Sequence, residues 1–253
     1  ATMVAAGVFL IARIYPVFNP IVLDVMVWIG AFTAFMAATI ALTQNDIKRI
    51  LAYSTISQLG FMVMALGIGA YSESIFHLTT HAFFKCLLFL AAGSVIHQLH
   101  HYCEKNNHEF NYQDIRLMGG LRKSMPFAFW GMCLASAALV GIPLTSGFLS
   151  KDSILIRTFE WTATRDGIFV ILPWLMVLTS WFTAFYIFRL IFKVFFGEPR
   201  EIKANKLGLI NDSPGQMTYI LLVLSFFCSF IVFAFNPASF ESSWLWNGFQ
   251  VSI

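Results

Sequence analysis

Charge is what this sequence has least of. Only 11% of its 253 residues are Asp, Glu, Lys or Arg, against about 25% in a soluble globular domain. A chain so poor in charge cannot cover itself in water. The longest polar stretch, 98–124, is under thirty residues long, so no soluble domain fits anywhere. The net charge of +3 is too small to suggest a nucleic-acid partner. Cysteine is scarce as well: of Cys86, Cys103, Cys133 and Cys228, three lie in apolar runs and none forms a CxxC pair. That pattern indicates neither a disulfide framework nor a zinc site. No G-x-G-x-x-G, Walker, haem or clustered-cysteine motif occurs, so no nucleotide or iron–sulfur cluster is expected on the chain and any redox chemistry would lie on other subunits. There is no initiator Met and no signal peptide. We read the chain as a fragment, with sequence expected at both ends.

What is abundant is apolar surface: 58% of residues are hydrophobic, with 28 phenylalanines. Apolar segments recur at about 1–15, 21–42, 50–70, 74–97, 126–159 (interrupted), 168–196 and 216–235. Most reach the roughly 20 residues that cross a ~30 Å hydrocarbon core at 1.5 Å per residue. The runs are too long for strands and lack apolar/polar alternation. The expectation is an all-α, polytopic transmembrane protein with about seven membrane helices. Lys and Arg divide unevenly between alternate ends. Eleven fall with Lys48, Arg116 and Arg189, three (Arg13, Arg157, Arg165) fall at the other ends, and Lys85 and Lys151 lie within apolar segments. By the positive-inside bias, the loops after the second, fourth and sixth segments are cytoplasmic.

The sharpest chemical signal is His77-Leu-Thr-Thr-His81-Ala-Phe-Phe-Lys85. Spacing of i, i+4, i+8 places the three ionisable residues on one helix face, climbing by about 6 Å per step. Lys85 is near mid-helix, too deep for its ammonium to snorkel fully to either interface. A charge there costs at least ~2.5–3.5 kcal/mol. It must therefore face protein or water, be paired, or spend time neutral. Histidine titrates in the physiological range. The functional reading is a proton relay; the bland one is a structural ion pair or a helix-packing hydrogen bond.

The second signal is Gly141-Ile-Pro143-Leu-Thr-Ser-Gly147-Phe-Leu-Ser-Lys151-Asp152. Proline removes a backbone donor, and irregular backbone at membrane depth survives only inside protein or beside a water-filled cavity. Broken helices mark ion sites in transporters. The competing reading is an ordinary loop, with Ser150 capping a short surface helix that begins at Lys151. A third stretch, Asn45-Asp46-Ile47-Lys48-Arg49 followed by Ala52-Tyr53-Ser54-Thr55, is sufficiently explained as a capped, positively flanked helix start. His97, His100, His101, Cys103 and His108 are irregularly spaced and read as a wet surface loop in preference to a metal site.

Together the strings Thr80-His81-Ala82-Phe83-Phe84-Lys85, Gly147-Phe148-Leu149-Ser150-Lys151-Asp152, Gln44-Asn45-Asp46-Ile47-Lys48-Arg49 and Ala52-Tyr53-Ser54-Thr55-Ile56-Ser57-Gln58 resemble the antiporter-like subunit L (mitochondrial subunit 5) family of NADH-quinone oxidoreductase, respiratory complex I. The resemblance extends to about Phe196 and fades beyond it. It implies an inverted-repeat fold with broken helices. Residues 1–16 would end a truncated transmembrane helix, 21–196 would form the second antiporter-like repeat, and 197–253 a cytoplasmic loop plus one further helix. It also implies a lysine on the central hydrophilic axis at Lys85 and one on the outer half-channel at Lys151, next to Asp152. The implied function is proton translocation by a Lys/His relay through His77, His81, Lys85, Lys151 and Asp152. NADH, flavin, iron–sulfur clusters and quinone would be held by partner subunits, and the antiporter-like subunit M would be a neighbour. The setting would be a bacterial or mitochondrial inner membrane. The large subunit of the multi-subunit sodium/proton antiporter has similar strings and is the alternative; a structural membrane subunit without its own proton path is the second alternative.

Overall fold

The computed structural model describes residues 2–106, 110–198, 210, 212, 214–234, 236 and 243. The described residues form helices joined by short turns: α1 (Thr2–Arg13), α2 (Pro20–Thr43), α3 (Ile47–Gly67), α4 (Tyr71–Asn106), α5 (Pro126–Val140), α6 (Ser146–Ala163), α7 (Ile171–Phe195) and α8 (Gly215–Phe227). Each apolar segment read from the sequence thus holds a helix, and the interrupted one is split into α5 and α6. Among the described residues, α2, α3, α4 and the stretch 167–195 are long and apolar enough to cross a membrane.

Local chemistry sets the helix starts. Pro20 opens α2 behind Asn19, whose side chain accepts from the Val22 amide at 2.9 Å. Asp46 caps α3 by accepting from the Arg49 amide at 3.0 Å. Both supply an acceptor to amides that have no intrahelical partner.

The tightest packing joins α2 to α3. A Cβ added to Gly30 would lie 2.4 Å from the Met64 nitrogen, and one on Gly60 would lie 2.6 Å from the Ala34 nitrogen. Buried Ala31, Ala34, Ala37, Ala38 and Ala41 continue this seam along α2. Small residues let backbones approach, which is how helices associate where lipid removes the hydrophobic drive between them. The opposite stripe of α2 (Ile21, Val25, Ile29, Phe32, Met36) is exposed, as a lipid-facing surface requires. By contrast, α3 is enclosed, with every residue from Ser57 to Met62 buried.

Hydrogen bonds tie the two ends of the bundle. At one end the Ile47 amide donates to the Gln113 carbonyl (3.0 Å), the Ile115 amide to the Asn45 carbonyl (2.9 Å) and the Arg122 amide to the Phe195 carbonyl (3.2 Å). Arg189 donates to the Gln44 and Ala41 carbonyls at the end of α2. At the other end, Arg165 pairs with Asp24 and Arg157 with Glu73. Arg122 and Arg189, from the basic-rich ends, thus lie at one end of the bundle, and Arg157 and Arg165, from the basic-poor ends, at the other.

Two boundaries differ from the sequence reading. The fourth segment does not stop at His97: α4 continues to Asn106 because Leu99 and Tyr102 are buried in the cluster that also holds Ile115, Met118 and Leu121. His97, His100, His101 and Cys103 therefore lie on a helix, not in a loop, while His108 lies outside the described residues. The seventh segment ends at Phe227 instead of 235, followed by a short 3-10 turn at Phe230–Val232. Its end pairs with the break between α5 and α6: the Ser146 amide donates to the Cys228 carbonyl (3.0 Å) and the Phe230 amide to the Leu144 carbonyl (3.4 Å). Each irregular segment satisfies backbone groups of the other, which irregular chain at membrane depth needs. Of the loop expected to follow residue 197, positions 199–209 lie outside the described residues.

Candidate functional site

The site begins with the break itself. Gly141 ends α5 in the left-handed conformation (φ 87°) and Leu144 also has positive φ (72°). A left-handed non-glycine residue costs roughly 1–2 kcal/mol, so the surrounding contacts hold this turn against strain. Thr145 then caps α6. Gly147 presses so closely on the end of α5 that an added Cβ would sit 1.7 Å from the Ala138 oxygen. Ser150 and Lys151 consequently fall in the second turn of α6, both buried. The alternative of a surface helix starting at Lys151 and capped by Ser150 is excluded.

Four helices contribute to one polar interior. His77, Thr80, His81 and Lys85 come from α4, and all four are buried. His77 Nδ1 is 2.8 Å from Ser150 Oγ on α6, and its Nε2 is 3.1 Å from Gln58 Oε1 on α3. Thr80 Oγ1 and Ser150 Oγ are 2.8 Å apart. The His77 and His81 rings are 6.1 Å apart between centroids, and Phe84 packs edge-on to His81 at 5.2 Å. Lys85 Nζ donates to Ser54 Oγ on α3 at 2.6 Å, and Tyr186 on α7 donates to the same oxygen at 2.7 Å.

The two lysines are equally enclosed, at 3% exposure each. Lys151 Nζ has no hydrogen-bond partner among the described residues and lies 5.4 Å from the centre of the Phe61 ring. His81 Nε2 and Gln58 Nε2 are also buried without a partner. Neither lysine has a carboxylate within ion-pair distance among the described residues. An unneutralised ammonium in such a place is expensive. Groups able to take and pass a proton, with unused lone pairs and N–H bonds between them, are what a proton path requires. A groove of about 720 Å³ between α1 and α4, lined by Ala5, Phe9, His81, Lys85 and Cys86 among others, opens beside these residues.

Of the five site residues expected from sequence, His77, His81, Lys85 and Lys151 all lie in this interior. Asp152 is only partly buried and makes no hydrogen bond or ion pair among the described residues. Sequence reasoning missed Ser54, Gln58 and Tyr186. A signal was present: Ser54 and Gln58 stand at i and i+4 on α3, while Thr179, Thr183 and Tyr186 recur along one face of α7, all buried. Among the described residues, no group of three or more His, Cys, Asp or Glu side chains could hold a metal ion.

Two buried lysines in a helical bundle, one of them just past a helix break, define the class: a polytopic α-helical membrane protein of antiporter-like fold. Residues 1–183 match the family described as NADH:quinone oxidoreductase/Mrp antiporter, transmembrane, and the chain belongs to that family. It is 54% identical over 218 residues to NAD(P)H-quinone oxidoreductase chain 5 of Picosynechococcus sp., an alignment covering 85% of this chain and 32% of the relative. It is 45% identical over 238 residues to NADH-quinone oxidoreductase subunit L of Rhodobacter capsulatus, covering 89% and 31%. Among solved structures, it is similar to an archaeal membrane-bound sulfane sulfur reductase (TM-score 0.67, 26% identity, covering 81% of this chain and 31% of that one). It shares the fold of a chain of the Mrp complex from Dietzia sp. (TM-score 0.71, 19% identity, covering 88% and 47%). The chain spans about a third of the length of the curated relatives it matches.

Proposed function

We propose that this chain is the proton-translocating part of a membrane subunit of NADH:quinone oxidoreductase. In this reading residues 21–196 are its second antiporter-like repeat. Protons enter from the cytoplasmic side and pass along Lys85, His81 and His77. They leave through the Lys151–Asp152 half. Electron transfer from NADH to quinone occurs on partner subunits, which hold the flavin, the iron–sulfur clusters and the quinone, and drives the path by changing the protonation of the lysines. A subunit M-like protein is the expected neighbour in a bacterial or organellar inner membrane. The observation that carries the reading is the pair of buried lysines without carboxylate partners among the described residues, set in a row of histidine and hydroxyl groups contributed by α3, α4, α6 and α7.

The test is Lys85→Met in the full-length protein within its assembled complex, reconstituted in proteoliposomes. Proton pumping is expected to be lost; normal pumping with normal NADH oxidation would remove the relay. A sodium/proton antiporter is the second reading, favoured by the family description and by the likeness to the Mrp structure. It predicts sodium-dependent proton movement without NADH, whereas the first predicts piericidin-sensitive NADH oxidation in the same membranes.

A further inference from the structure

The ladder on α4 has a fourth rung that the proposed path does not use. Glu73 precedes His77 by four residues, so positions 73, 77, 81 and 85 recur on one helix face. Glu73 lies in the first turn of α4 and is buried. Arg157 Nε on α6 donates to Glu73 Oε1 at 2.7 Å, and Arg157 Nη1 donates to Glu160 Oε2 at 3.1 Å. Side-chain exposure rises from 4% at Glu73 through 46% at Arg157 to 58% at Glu160. Three charged groups thus step from the interior to the surface at the basic-poor end of the bundle, opposite Lys48 and Arg116.

We propose that Glu73 is the last proton acceptor of the path and that Arg157 is a latch which shifts between Glu73 and Glu160 to let it discharge at the outer surface. The proposal rests on the proton-translocation reading. Ser150, the neighbour of Lys151, is hydrogen-bonded to His77, which stands one turn above Glu73. A proton leaving the imidazolium of His77 adds to the Glu73 carboxylate and makes a neutral carboxyl. The guanidinium then loses its main attraction to the interior and is held by Glu160 alone, nearer water. With the latch displaced, Glu73 releases the proton outward, and the returning guanidinium restores the buried ion pair, which a lone buried carboxylate needs. While it stands at the mouth, the positive charge of Arg157 opposes re-entry of protons. No bond other than O–H and N–H is made or broken, and Arg157 remains a cation throughout.

The mechanical alternative is that Glu73 complements the positive end of α4 and that Arg157 merely ties α4 to α6. The two are separated in the assembled complex carrying the full-length chain. Glu73→Gln can still accept a hydrogen bond from Arg157 but cannot carry a proton. It is expected to lower pumping per assembled complex by about a hundredfold or more, as for loss of a proton-transfer group. Glu73→Asp should recover part of the rate, and Arg157→Lys, which loses the guanidinium fork, should slow it. If Glu73→Gln lowers only the amount of assembled complex, the latch is overturned. If Glu73→Gln does not assemble, the double variant Glu73→Gln/Arg157→Met removes both charges together; normal pumping by it also overturns the proposal. Lys85→Met is measured alongside. Pumping lost in Lys85→Met but normal in Glu73→Gln rejects the latch and leaves the relay standing, whereas normal pumping in both rejects the relay itself.

Discussion

Lys85 and Lys151 are the same residue at the same exposure, yet the protein holds them in opposite ways. Lys85 lies on a continuous helix and is anchored by Ser54, which is itself held by Tyr186. Lys151 lies one turn beyond a strained break; among the described residues its Nζ has no hydrogen-bond partner and lies over the ring of Phe61. A hydrogen-bonded amine is fixed in position and can hand a proton along a defined geometry. An amine with no acceptor is free to reorient, and its charge is supported by little more than the ring quadrupole. In the proposed path, this difference makes Lys85 a relay post and Lys151 a mobile carrier.

Replacing each lysine with methionine should break this contrast most severely. Both variants are expected to lose pumping, by about a hundredfold or more. Their stabilities should diverge. Lys151→Met removes a buried amine that has no hydrogen-bond partner among the described residues, so the thermal midpoint of the complex should hold or rise. Lys85→Met leaves Ser54 with Tyr186 alone, and a small loss is expected. Equal destabilisation by both would show that Lys151 has a partner in the full assembly.

Gly147→Ala attacks one side of the comparison only. Its Cβ would meet the Ala138 oxygen at 1.7 Å, so α6 must move off α5 and carry Lys151 with it, at a cost of about 3 kcal/mol or more. Lys85 should be undisturbed. Thermal unfolding of the complex checks the cost, and the pumping rate of whatever assembles checks the displacement. Tyr186→Phe acts on the other side. It removes one donor to Ser54 and should cost about 1 kcal/mol, with a partial loss of pumping that leaves assembly intact.

Much of this arrangement is legible before any coordinates. Length and hydropathy locate each helix, and Gly141, Pro143 and Gly147 announce the break. The spacing of His77, His81 and Lys85 declares a single face. What is not legible is whom each side chain meets. Lys85 and Lys151 look alike in sequence, because the serine and tyrosine that separate their environments come from α3 and α7. The end of α8 at Phe227 is equally hidden: its apolar run continues, but Cys228 and Phe230 pair with the backbone of a break more than eighty residues earlier. The extension of α4 to Asn106 is decided by burial of Leu99 and Tyr102 under the loop that follows, which no local pattern reveals.

A third charged group supplies what neither lysine has among the described residues, an opposite charge beside water, and predicts the smallest effect. Asp114, in the loop before α5, accepts from the Arg116 guanidinium at 2.7 and 3.1 Å. Hydrogen bonding from Arg116 is the main reason its carboxyl is held below the usual 3.8. A depressed carboxyl contributes stability that is complete above the unfolded-state value and is lost as pH falls through the folded-state one. Fixing of this loop on the start of α3, through the Ile47 and Ile115 amides, should therefore weaken only in acid, below about pH 4. Asp114→Asn should abolish that acid dependence and loosen the loop slightly at neutral pH, by a fraction of the Gly147→Ala cost, since screened pairs contribute little. Amide exchange at Ile47 and Ile115 across this pH range measures it. If exchange in Asp114→Asn changed with acid as it does in the parent, Asp114 would not be the group that titrates. The contrast that isolates the two lysines, a charge neutralised at the surface against amines without a carboxylate partner among the described residues, would then lose its reference.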